Sequence, residues 1–173
     1  AEDKITPIGP KARNLNKKFE FNEGEFNQLT YWMNRQIIDD YPMELVSPVD
    51  WTDDSQNIND RVRSYLDVNC GHCHSPTGNA NSTGLYLHLD ETRDIHLGLY
   101  KKPVATGRGS GGLKYSIVPG KPDESILLHR MISLDPGVMM PESGRALSHT
   151  EAVDMVREWI CLLYTSPSPR DMS

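Results

Sequence analysis

Cysteine is scarce in this chain, with three among 173 residues. Two of them, Cys70 and Cys73, stand close together and Cys161 has no obvious mate, so a disulfide framework is excluded. Metal-binding pairs are scarce as well. His88, His96, His129 and His149 are widely separated, which leaves a four-ligand zinc site at Cys70 and Cys73 without its second pair of donors. Apolar residues make up only 37% of the chain and the mean hydropathy is -0.55, which is lean for a self-sufficient core of this size. No apolar run approaches the roughly 18 to 20 residues that span a bilayer. The formal charge of -6 argues against a nucleic-acid binder and favours a partner with a basic docking face. With neither an initiator Met nor a signal peptide, the start at Ala1 reads as that of a fragment or a processed product.

What is present is the pentapeptide Cys70-Gly71-His72-Cys73-His74. C-x-x-C-H is the attachment signature of haem c: two thiols add across the vinyl groups and the adjoining imidazole binds the iron. Cys-Gly-His-Cys is also a dithiol of disulfide isomerases, but such sites follow a buried strand and an aromatic and open a helix. Here a polar helix with Asp67, Val68 and Asn69 leads in, and His74-Ser75-Pro76 leads out. A haem would also supply the apolar surface that the composition lacks.

Phe26, Leu29, Trp32, Met33 and Ile37 fall at helical steps and predict an amphipathic helix over residues 25–38. A polar linker rich in Asp and Asn follows, with a domain boundary near Gln56. The next helix runs from a cap at Asn59 or Asp60 through Val62, Tyr65 and Leu66 to Asn69, and delivers Cys70. Residues 85–89 alternate like a short extended segment, and residues 92–99 suit a helical turn. Pro122 opens a further helix carrying Ile126, Leu127, Arg130 and Met131. Ser148-His149-Thr150-Glu151 has the form of a capping box for a last helix, whose buried stripe is Val153, Val156, Trp159 and Ile160.

An iron held by His74 needs a sixth ligand or stays open. Met140, between two helices and stiffened by Pro141, is the candidate, with Met139, His88 and an open position as alternatives. Gly107-Arg108-Gly109-Ser110-Gly111-Gly112 matches a dinucleotide fingerprint by letter but precedes an extended segment instead of opening a helix. It suits a loop that lets backbone approach a haem edge. Arg108 and Arg145, and less surely Lys114, are candidates to pair with haem propionates; surface solvation is their other reading.

The chain resembles the cytochrome c superfamily, and more narrowly bacterial diheme c-type cytochromes. The resemblance rests on the stretch from Arg63 to His74, on residues 107–112, on Val118-Pro119-Gly120-Lys121-Pro122 with Ser125-Ile126-Leu127, and on Val138-Met139-Met140-Pro141-Glu142. It implies an all-α haem domain over residues 58–160, with long loops, little or no strand, and crossed first and last helices that bring Tyr65 and Leu66 near Val156 and Trp159. It also implies His74 and Met140 as iron ligands. Residues 1–57 then read as the remnant of a preceding domain plus linker. Residues 7–16 resemble the stretch after a first haem motif, which would lie upstream of Ala1. Residues 161–173 resemble a translated sequencing adapter, with a Ser/Pro-rich disordered end as the other reading.

The function expected is electron transfer by a covalent haem c, cycling Fe(III)/Fe(II) between redox partner proteins outside the cytoplasm. As an electron carrier the chain is not expected to be an enzyme itself. The alternatives are a thiol-disulfide oxidoreductase acting through Cys70 and Cys73, or a cytochrome domain serving a partner dehydrogenase or peroxidase.

Overall fold

The computed structural model describes residues 11–104, 106–142 and 145–163. The adapter-like end from Tyr164 onward, and the part of the haem-following stretch before Lys11, lie outside the described residues. The chain divides into two compact units between Val49 and Asp50.

The first unit corrects the all-α expectation. After a short helix α1 (Ala12–Leu15), two strands, β1 (Lys18–Phe21) and β2 (Gly24–Asn27), form an antiparallel hairpin. Phe19 pairs with Phe26, and Lys18 lies opposite Asn27. The helix expected over residues 25–38 overlaps β2, because Phe26 fits the period of Leu29 and Ile37. The competing signal is alternation: Phe19 and Phe21 are separated by Glu20, and Gly24, at φ 120°, closes the turn in a conformation that favours glycine. Helix α2 therefore spans only Gln28–Asn34, capped by the Asn27 side chain, which accepts from Thr30 N at 3.1 Å. Phe21 stacks on Tyr31 with ring centroids 3.7 Å apart.

The second unit is built on α3 (Ile58–Asn69), α4 (Asp94–Leu97), α5 (Ile126–Ile132) and α6 (Thr150–Leu162). Helix α3 packs on α6, and α5 on α6. Their shared core includes Val62, Leu66, Val156 and Ile160, each at 1% exposure or less. Burying a side chain of this size contributes roughly 1.5–3 kcal/mol. The Trp159 indole N–H donates to Asn59 Oδ1 at 3.2 Å and joins the two helices at one end. Trp51 sits edge-on to Tyr65 and to His149, and the Tyr65 hydroxyl lies 3.1 Å from His149 Nδ1.

Asn57, ahead of the expected Asn59 or Asp60, caps α3 by accepting from Asn59 N at 2.8 Å. The capping box of α6 does not form. Ser148 Oγ donates to the Met131 carbonyl instead, and His149 takes the cap position without a side-chain bond. Residues 122–124 make a separate 3-10 turn before α5, because Ser125 is extended and its hydroxyl donates to the Lys121 carbonyl. Helix α6 continues through Cys161 and Leu162, and Leu163 packs partly buried on the core.

Candidate functional site: the Cys70–His74 turn

Helix α3 ends by giving the Leu66 carbonyl two donors, Cys70 N and Gly71 N, both at 2.9 Å. The chain then coils back on Cys70, whose carbonyl accepts from Cys73 N at 3.1 Å and His74 N at 2.8 Å. Two thiols and an imidazole are thus carried on one closed turn. Ala80 N donates to the Cys73 carbonyl, and Gly78 abuts that carbonyl so closely that no side chain fits there.

Cys70 and Cys73 are free and half-buried. Burial, aided by the neighbouring Cys73, pushes the Cys70 thiol up to about 12. A thiol nucleophile needs the opposite shift, toward thiolate. The His74 imidazole is pushed down by burial, while the Leu85 backbone acts to raise it. Its Nδ1 is buried without a hydrogen-bond partner, as are Nδ1 of His72 and of His88.

The segment facing His74 is fastened to α3. Leu87 N donates to the His74 carbonyl at 2.8 Å, and Leu89 N donates to Asp67 Oδ1 at 3.0 Å. Arg63, 7% exposed, donates from Nη2 to the carbonyls of His88, Leu89 and Glu91 at 2.7, 2.9 and 2.8 Å. The Glu91 carboxylate is itself buried and takes Thr92 N, Arg93 N, the Arg93 guanidinium and His96 Nδ1. Those partners, Arg93 first, hold its carboxyl well below the usual range. Sequence reasoning missed this polar clasp. Arg63 and Asp67 are four apart, a spacing that ordinarily marks a solvated ion pair on a helix surface, and nothing in their neighbours signals burial.

Met139 and Met140 are half-buried on the loop after α5. Met140 N donates to the Arg130 carbonyl at 3.0 Å. Neither arginine nominated for haem propionates is free. Arg108 forks onto Asp135 at 2.9 and 3.0 Å, and Arg145 donates to the carbonyls of Met131, Arg130 and Ser133. Arg130 is the cation that sequence reasoning passed over. Its Nε donates to the Val138 carbonyl at 2.8 Å, burial lowers its pKa, and its charge is felt at His74. In sequence it is one basic residue on a short helix, indistinguishable from a solvent-facing position.

Among the histidines, His96 faces Glu91, His149 faces Tyr65, and the His129 ring packs beneath Gly111. A cleft of about 410 Å³ walled by Trp51, Met155 and acidic side chains of α6 is lined by none of Cys70, Cys73, His74 or Met140. Among the described residues no group of three or more His, Cys, Asp or Glu side chains gathers as a metal cluster, and no helix is long and apolar enough to cross a membrane. Comparison with protein-family models, with curated proteins and with solved structures finds no match.

Proposed function

We propose that the second unit is a haem c electron carrier of the cytochrome c superfamily. The observation that carries the reading is the turn closed on the Cys70 carbonyl, which presents two free thiols and an imidazole in the order that C-x-x-C-H attachment requires. The donor set fits the group. His74 Nδ1 is buried without a hydrogen-bond partner, an orphaned ring nitrogen beside the two thiols, and the His74 imidazole would hold the iron. Cys70 and Cys73 would anchor the group through thioethers, and Met140, on a loop separate from the motif, would supply a second ligand to the iron. Arg130, with Nη groups beyond its Nε bond to Val138, is better placed than Arg108 or Arg145 to meet an acidic group of the cofactor.

Haem c supplies one-electron Fe(III)/Fe(II) chemistry when bound. The chain contributes anchoring, ligand choice and exclusion of water, and no residue is required as a general acid or nucleophile. Thioether attachment implies a location outside the cytoplasm. The net charge of -6 suits redox partners with a basic docking face.

Expression with haem-maturation machinery followed by a pyridine haemochrome spectrum tests the reading. A c-type α-band is expected, with Cys70 and Cys73 unreactive toward maleimide. A spectrum lacking that band, with both thiols labelling, would overturn it in favour of a dithiol. Met140→Ala is expected to abolish the sulfur-to-iron charge-transfer absorption; survival of that band would assign the ligand to another donor.

A further inference from the structure

Arg108 and Arg145 come from segments on either side of α5 in sequence, yet both are engaged at its C-terminal end. The last carbonyls of a helix lack intrahelical donors and carry the negative end of its dipole. Arg145 answers that need with Nη1 on the Met131 carbonyl at 2.6 Å and Nη2 on the carbonyls of Arg130 and Ser133. The Arg130 carbonyl is also the acceptor for Met140 N, so a single oxygen joins Arg145 to the backbone of Met140.

Arg108 acts one step earlier on the same loop. It forks onto the Asp135 carboxylate, whose Oδ1 also accepts from Gly137 N at 2.9 Å. The Asp135 main-chain carbonyl accepts from Val138 N and Met139 N, both at 2.8 Å. Gly137 lies against the Arg108 guanidinium, where a β-carbon would collide with it. The backbone from Val138 to Met140 is therefore held at each successive N–H, and the two arginines fasten the groups that accept those bonds.

We propose that Arg145 and Arg108 are positioning residues for Met140, clasping its loop to the end of α5, and that they do not pair with haem carboxylates. This rests on the haem c reading for its functional meaning, while the clasp itself is a property of the polypeptide. Without it the loop retains its sequence but loses the bonds that present one methionine at one place.

Amide hydrogen exchange of the full chain, haem-loaded and haem-free, compares wild type with Arg145→Gln, Arg145→Lys and Arg108→Gln. Loss of a charge-assisted hydrogen bond predicts that Met140 N–H exchanges about tenfold faster or more in Arg145→Gln. Arg145→Lys is expected between the two, because an ammonium keeps the charge but not the fork. Arg108→Gln is expected to speed Val138 and Met139. The amides of Leu66 and Val156 in α3 and α6 should keep their wild-type rates. In the haem-loaded protein the sulfur-to-iron absorption should weaken in the same order as Met140 exchange rises, and added imidazole should bind the ferric form more readily.

Unchanged Met140, Met139 and Val138 exchange in all variants overturns the proposal, and so does acceleration shared equally by Leu66 and Val156. Should Arg145→Gln fail to fold, the more exposed Arg108→Gln decides the outcome alone. A protein that takes up no haem c refutes the proposed function, and Met140 exchange in the haem-free chain still decides the clasp.

Discussion

Replacing Arg63 by Met should be among the most damaging single changes in the second unit. The guanidinium is 7% exposed and holds three backbone carbonyls through one nitrogen. Hydrogen bonds to a charged donor contribute about 1.5–3 kcal/mol each. One nitrogen has two protons for three acceptors, so the set counts as roughly two such bonds, or about 3–6 kcal/mol. Removing the charge also relieves its burial, which by itself pushes the Arg63 pKa down, and that relief offsets about 1–2 kcal/mol. The net loss is about 3 kcal/mol, and Asp67 and Glu91 lose the field of the Arg63 charge.

At a urea m-value of roughly 1.5 kcal/mol/M, the midpoint falls by about 2 M. A Trp32→Phe background confines tryptophan fluorescence, excited at wavelengths tyrosine does not absorb, to Trp51 and Trp159, both in the second unit, and so reports that unit alone. Arg63→Lys should fall between wild type and Arg63→Met, since its shorter reach keeps the charge and loses part of the bonding. A midpoint shift below about 0.5 M for Arg63→Met, at unchanged m, would refute the reasoning. It would show that the segment from His88 to Glu91 is held by its apolar contacts and that its carbonyls find water without loss.

Glu91→Gln should destabilise the protein at neutral pH, because a carboxyl held below its usual range contributes stability above its unfolded pKa of about 4.3 and loses it as the pH falls toward the lower folded value. Urea titrations should show a constant gap between wild type and Glu91→Gln from about pH 8 to 5 that closes below about pH 4; a gap that persists unchanged into acid refutes the assignment. Gly111→Ala should cost about 1–3 kcal/mol, because a β-carbon at φ 58° would stand 2.6 Å from His129 Nε2. Thermal unfolding reads this directly. Combining it with His129→Ala, which removes the obstructing ring, should recover the steric part and leave only the backbone strain.

Local pattern made much of the second unit legible. The stripe Val153, Val156, Trp159 and Ile160 is buried, and Tyr65 and Leu66 share a core with Val156 and Trp159. These residues fall at helical spacing, and a helix with one apolar face has to bury it. The hairpin at residues 18–27 was illegible because two periods overlap there, and cross-strand pairing of Phe19 with Phe26 overrode the helical one. The capping box at Ser148 failed for a tertiary reason: its hydroxyl is taken by the Met131 carbonyl.

Local sequence places the candidate thiols and imidazole together. Cys70, Cys73 and His74 are neighbours on one turn, so their juxtaposition is a consequence of chain connectivity and needs no long-range contact. The partners of the arginines, in contrast, depend on long-range packing. Arg63 reaches carbonyls 25 to 28 residues away, Arg145 reaches the end of α5, and Arg108 finds Asp135. A cation's partner is chosen by which carbonyls and carboxylates the fold leaves without donors, a property of the packed chain that no local spacing encodes.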